Sequence, residues 1–140
     1  MPREVFVDSG AWLALFDPQE AGHTLAGVTY KSLLQRYARA VTTNLVIAES
    51  YTLIYRRVGY LAATTFLVNV RSTLQLLKLY SDEALDAQAE SLLNHYADQD
   101  FSYVDAVSFA LMRTRRITTA FSFDHHFRIA GFTLIPPFTR

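Results

Sequence analysis

Val5-Phe6-Val7-Asp8-Ser9-Gly10-Ala11-Trp12 is the stretch on which the fold turns. Val5-Phe6-Val7 is β-branched and aromatic and reads as a short buried strand. Asp8 ends that strand. Gly10–Phe16 then reads as a short helix closed by Asp17-Pro18, because the residue before a proline is pushed out of helical geometry. Downstream the same alternation repeats. Ala21–Ala38 predicts a longer helix, with Val28, Leu33, Leu34 and Tyr37 on its buried side, and Val41–Thr43 a strand. The helix Asn44–Val58 stops near Gly59, and Leu61–Val70 is a further helix. Leu74–Leu79 predicts a strand, Ser81–Tyr96 and Ser102–Arg113 helices, and Ile117–Phe121 a strand. A short helix after Asp124 ends at Gly131, and Phe132–Ile135 is a last strand before Pro136-Pro137. Strands alternating with helices imply an α/β sandwich, a mainly parallel sheet covered by helices on both faces. Ligands of such sheets bind at the carboxyl ends of the strands, where strand order switches.

The 140 residues match one domain able to bury a core, and 51% hydrophobic against 19% charged residues is a globular balance. No apolar stretch approaches the roughly 18 residues of a membrane span. Met1-Pro2-Arg3-Glu4 leads into an apolar run that Asp8 interrupts, unlike a signal peptide. A cytoplasmic location is the expectation. Without cysteine there is no disulfide, thiolate zinc site or Cys nucleophile. Thirteen cations balance thirteen anions, but only Lys31 and Lys78 are lysines. The arginines fall into the local groups Arg36/Arg39, Arg56/Arg57 and Arg113/Arg115/Arg116, suited to bidentate phosphate contact or equally to solvated helix ends. Net charge by itself neither supports nor excludes RNA.

Four carboxylates fall where this pattern would gather them: Asp8 and Asp124 after strands, Glu49 and Asp105 within apolar helical segments. Buried carboxylates are costly without a cation, and hard divalent cations prefer oxygen. Each also has a structural explanation. Asp8 and Asp124 stand where they can cap the helices that follow, and Ser102-Tyr103-Val104-Asp105 resembles a capping box. Glu49 has no such role, since positions 45 and 53 are both leucine and offer no intrahelical pair. Four coincidences are less economical than one site.

Taken together, these residues resemble a PIN-domain ribonuclease, and more narrowly the VapC toxins of toxin–antitoxin pairs. The resemblance is carried by Val5 to Trp12, Thr42-Thr43-Asn44 through Glu49, Asp100 to Ala106, and Phe121-Ser122-Phe123-Asp124-His125-His126-Phe127. It implies a PIN-like three-layer sandwich over residues 1–140 and Mg²⁺- or Mn²⁺-dependent cleavage of structured RNA. It also implies a homodimer and a small VapB-type antitoxin. Asp8, Glu49, Asp105 and Asp124 would be the catalytic quartet and metal ligands, with Asp8 and Asp105 central. Ser122 or Ser9 would orient a water. Asn44 matches a frequent polar position of the family and equally fits a helix cap. Asp100, within Asp98-Gln99-Asp100-Phe101-Ser102, either extends the acidic site or sits in a loop.

His125 and His126 are expected to point different ways from a turn, with no third nearby His or Cys for zinc, and so to serve surface, core or RNA contact. Trp12, Leu13, Leu15 and Phe16 are expected to pack in the core, with an exposed edge open to a dimer or antitoxin helix. Other enzyme classes fail on residues. A haloacid-dehalogenase-type phosphatase wants a second acid where Gly10 stands, and neither a Lys-Ser/Thr phosphate loop nor a Gly-x-Ser-x-Gly elbow exists. The remaining alternative is a catalytically silent PIN-like module that binds protein or RNA.

Overall fold

The computed structural model describes residues 3–137. Its elements are β1 (Glu4–Val7), α1 (Ser9–Phe16), α2 (His23–Arg36), β2 (Arg39–Thr43), α3 (Asn44–Arg57), α4 (Tyr60–Ser72), β3 (Leu76–Leu79), α5 (Glu83–His95), α6 (Tyr103–Arg115), β4 (Thr119–Phe121), α7 (His126–Ile129) and β5 (Thr133–Ile135). The strands form one parallel sheet in the order β3-β2-β1-β4-β5. With the right-handed crossovers general to parallel sheets, this order places the helices between β1 and β3 on one face and those after β3 on the other. The chain therefore switches direction between β1 and β4, where a parallel sheet opens a crevice at its carboxyl edge.

Alternation along β1 divides the core. Phe6 faces Phe127, which meets Phe109 of α6 edge-on at 4.8 Å between ring centroids. On the other face Trp12 and Phe16 both pack on Phe66 of α4, at 5.5 and 5.4 Å. Trp12 and Leu13 are buried and Leu15 and Phe16 partly so, in keeping with the core role expected of this cluster.

The differences from the sequence reading lie at element ends and on one helix face. α2 turns Ala26, Tyr30 and Leu33 inward, whereas Val28 is 64% exposed, so its assignment to the buried side is corrected. Positions 26, 30, 33 and 37 keep helical spacing, and 28 falls off that stripe. Leu74 is fully exposed, and β3 begins only at Leu76. β4 starts later than expected because Arg116 adopts a left-handed conformation (φ 59°, ψ 37°), which returns the Ile117 N–H to the Met112 carbonyl at 2.8 Å. The cap of α3 is Thr43, whose Oγ1 accepts the Val46 N–H at 3.1 Å, and not Asn44, whose Oδ1 accepts the Ser81 N–H at 3.3 Å.

Phe66 is the common contact of the Trp12 face. Phe66→Ala is expected to lower the unfolding free energy by about 3–5 kcal/mol in urea titrations, while Val41→Ile, which adds a methylene to a fully buried site, is expected to cost about 1–3 kcal/mol.

Candidate active site: a four-carboxylate cleft

All four carboxylates line one cleft of about 450 Å³ at the carboxyl edge of the sheet, together with Ser9, Gly10, Leu53, Ser102, Phe123 and His125. Asp8 leaves the end of β1, the central strand, and is 4% exposed. It occupies the N-cap position of α1, yet its side chain makes no cap hydrogen bond. Burial without capping leaves the structural reading of Asp8 unsupported. Asp124 follows β4 across the switch point, Asp105 lies in the first turn of α6, and Glu49 projects from α3.

Two hydroxyls set the carboxylate orientations. Ser122, almost fully buried, donates from Oγ to Asp8 Oδ2 at 3.1 Å and accepts the Asp124 N–H on the same oxygen at 3.0 Å. One side chain thereby couples the ends of β1 and β4. Ser9 donates its hydroxyl to Glu49 Oε1, tying α3 to the start of α1. Asp105 does form the capping box read from the sequence, exchanging 3.0 Å hydrogen bonds with Ser102 in both directions. Asp124 accepts the His126 N–H on Oδ1 at 2.9 Å, which fastens the turn into α7. For Asp105 and Asp124 the local and the site roles coexist, because a carboxylate has lone pairs beyond one capping bond. Asp100 is exposed and does not line the cleft.

Electrostatics sets Asp8 apart. Its pKa is pushed up to about 7, chiefly by burial. The Ser9 backbone N–H opposes the rise, the negative charge of Asp105 adds to it, the Ser122 hydroxyl opposes and Asp124 adds a little more. Asp105 is raised as well, first by burial, with its Ser102 backbone bond pulling back and Asp124 pushing further. Crowded carboxylates at a partly closed site call for a cation.

His126 belongs to this site, contrary to the expectation that the two histidines diverge. Their rings lie 4.7 Å apart, and the Phe101 ring meets His126 edge-on at 5.1 Å. Its Nδ1 is buried without a hydrogen bond, 3.4 Å from Asp124 Oδ1 and 3.6 Å from Asp105 Oδ2. Asp124, His125 and His126 each offer a ligand atom within 4.8 Å of the others. That trio supplies one carboxylate oxygen and two imidazole nitrogens, and the Asp8, Glu49 and Asp105 carboxylates line the adjoining cleft, so the residues present fit a divalent cation.

Comparison with known proteins places this geometry. The sequence pattern of the PIN domain matches residues 5–132. The chain is 33% identical over 133 residues to the 23S rRNA-specific endonuclease VapC20 of Mycobacterium tuberculosis, in two strains, across 95% of this chain and 98% of that protein. It is also similar to the crystal structure of that VapC20, described as a sarcin-ricin loop cleaving toxin, with a TM-score of 0.84 over 91% of this chain and 95% of the other. FitAcB of Neisseria gonorrhoeae, at 15% identity and a TM-score of 0.62 over 96% of each chain, shares the fold.

The raised pKa of Asp8 makes stability depend on pH. Below its ordinary value of 3.8 the carboxyl is protonated both folded and unfolded, so burial of a charge costs nothing. Between there and about 7 the native state holds a proton that the unfolded chain has lost, so unfolding releases a proton from Asp8 throughout this window and stability falls as pH rises. Metal-free protein is thus expected to lose stability as pH rises from 4 to 7, by up to about 4 kcal/mol at about 1.4 kcal/mol per pH unit. Urea unfolding in chelator should show this decline for wild type and a flatter profile for Asp8→Asn. Parallel profiles would mean that Asp8 carries no such burial penalty.

Proposed function

The chain belongs to the PIN-domain family, and from that membership we propose a divalent-metal-dependent endoribonuclease of the VapC type that cuts a structured loop of ribosomal RNA. The observation that carries the reading is the convergence of Asp8, Glu49, Asp105 and Asp124 on one cleft at the switch point of a parallel sheet. The likeness to a relative named for 23S rRNA, and to one described as cleaving the sarcin-ricin loop, supports the substrate class.

Asp8 and Asp105 would be the central ligands of the cation, and Glu49 and Asp124 would bind it directly or through water. The oxygen-rich set favours Mg²⁺ or Mn²⁺. When bound, the cation neutralises charge at the phosphodiester and makes water a stronger nucleophile at neutral pH. The chain's own contribution is geometric. Ser122 ties the Asp8 carboxylate to the Asp124 backbone, and Ser9 holds Glu49 toward the cleft. Hydrolysis adds the oxygen of water to phosphorus and breaks one P–O bond to the adjoining nucleotide, whose oxygen leaves with a proton. No redox partner or covalent intermediate on the protein is required.

The same reading brings a small VapB-type antitoxin, a homodimer and a cytoplasmic location. Exposed Tyr55, Val58, Tyr60, Leu61 and Val68 on and between α3 and α4 support protein contact there. No described helix is long and apolar enough to cross a membrane.

End-mapping of ribosomal RNA after incubation with purified protein and Mg²⁺ tests the proposal. Discrete new ends are expected, absent with chelator. Asp8→Asn and Asp105→Asn should each lower cleavage by about 100-fold or more, and Ser122→Ala by about 10–100-fold, with the fold intact. Full cleavage by both Asn variants would reject the assignment, and binding without cleavage by wild type would favour the silent module.

A further inference from the structure

The end of the sheet opposite the carboxylate cleft carries the reverse charge. At the amino ends of β1, β2 and β4 lies a hollow of about 710 Å³ lined by Arg3, Glu4, Tyr37, Arg39, Arg115 and Arg116, with threonines at its rim. Four guanidinium groups face a single carboxylate. Glu4, its side chain 8% exposed, is the pin of the cluster. It accepts a two-pronged contact from Arg115, Nε at 3.1 Å and Nη2 at 2.8 Å, and an ion pair from Arg39 Nε at 3.3 Å. Arg3 lies over the Tyr37 ring, 4.7 Å from its centroid.

Helix-end electrostatics accounts for part of this. Arg115 ends α6, where a cation offsets the helix dipole. It does not account for Arg3 and Arg39, which lie before and at the start of strands. Arg116 is less well explained still. It is exposed, has no ion pair or side-chain hydrogen bond among the described residues, and occupies a left-handed position (φ 59°) that glycine adopts without strain. Local structure would be better served by Gly, so the guanidinium is what the position supplies.

We propose that this arginine-lined hollow is a phosphate-binding exosite, holding the backbone of a long RNA at the pole opposite the carboxylate cleft. The proposal rests on the endoribonuclease reading and adds where that enzyme gains its hold on RNA. A polyanion approaching four carboxylates is repelled, and the chain as a whole is neutral, so attraction has to come from charge segregated elsewhere. Arginine suits phosphate because its planar fork meets two oxygens at once. Glu4 pre-orders two of the four arginines and leaves donors on each for a ligand. Among the described residues, Arg3 and Arg116 are committed to no carboxylate.

The test separates binding from cutting. Asp8→Asn protein in chelator binds a labelled long fragment of 23S ribosomal RNA, and anisotropy is followed across a salt series. Adding Arg3→Gln and Arg116→Gly together should weaken binding about 10-fold and reduce the slope of log affinity against log salt by about 1.5–2. Arg71→Gln, an exposed arginine on α4, should change affinity less than about 2-fold. Arg116→Gly alone should not lower the thermal midpoint, which separates lost binding from lost fold. In the otherwise wild-type enzyme the double variant should raise KM for the long fragment, leaving kcat and the cleavage of a short hairpin unchanged. Unchanged affinity and salt slope would overturn the exosite, as would displacement of RNA by poly-glutamate at equal charge concentration. If wild type cuts no RNA yet the arginine variants lose binding, the nuclease reading fails and the exosite stands. If wild type cuts and the variants bind as before, only the exosite fails.

Discussion

Everything at the functional edge follows from one buried charge. Asp8 ends the central strand of a five-stranded parallel sheet, where its carboxylate is almost wholly withdrawn from water. Burial of an ionised carboxylate is expensive, and the two aspartates nearest in effect, Asp105 and Asp124, make it more so. The chain offers partial relief from a backbone N–H and from the Ser122 hydroxyl. Neither is a cation. The site is thus built so that the metal-free state is electrostatically frustrated and cation binding to the native state is correspondingly stabilising. That cost is tolerable only because the Phe6 and Phe66 clusters pack the two faces of the sheet independently of the cleft.

Much of this was legible in the chain because it depends on local pattern. A strand-like run followed by an acid, Val5–Val7 before Asp8 and Ile117–Phe123 before Asp124, marks the carboxyl ends of two strands, and parallel topology then puts those ends side by side. The capping box at Ser102 and Asp105 is likewise readable at a spacing of three. Glu49 stood out because no helical neighbour explained it. What sequence reading lost were features set by tertiary contact. Val28 is apolar on a largely polar helix, and only the packing of α2 shows that the stripe through Ala26, Tyr30 and Leu33 faces inward.

His126 was missed for a related reason. A turn residue has no periodicity to reveal its direction. Its ring is set by Phe101, twenty-five positions earlier, and by Asp124, which accepts its backbone N–H. Once those contacts form, an imidazole nitrogen is left between two carboxylates with no hydrogen bond. The signal available in the sequence was its place two residues after a candidate ligand, in the segment that leaves a strand end.

Charge was the feature least visible from composition. Thirteen cations against thirteen anions describe an average, whereas function depends on where each sign lies. A parallel sheet has two chemically distinct edges, because every strand points the same way. Acids placed after strands gather at one edge; arginines placed before strands gather at the other, as the pairing of Glu4 with Arg39 in the β1–β2 register shows. Arg3, Arg39 and Arg115 are remote in sequence, and no local count of basic residues would join them. Strand direction converts scattered charges into two poles. A neutral chain with such poles can draw a polyanion to one end while presenting a cation-dependent carboxylate cleft at the other, which a uniformly basic protein would do at the cost of masking its own acidic site.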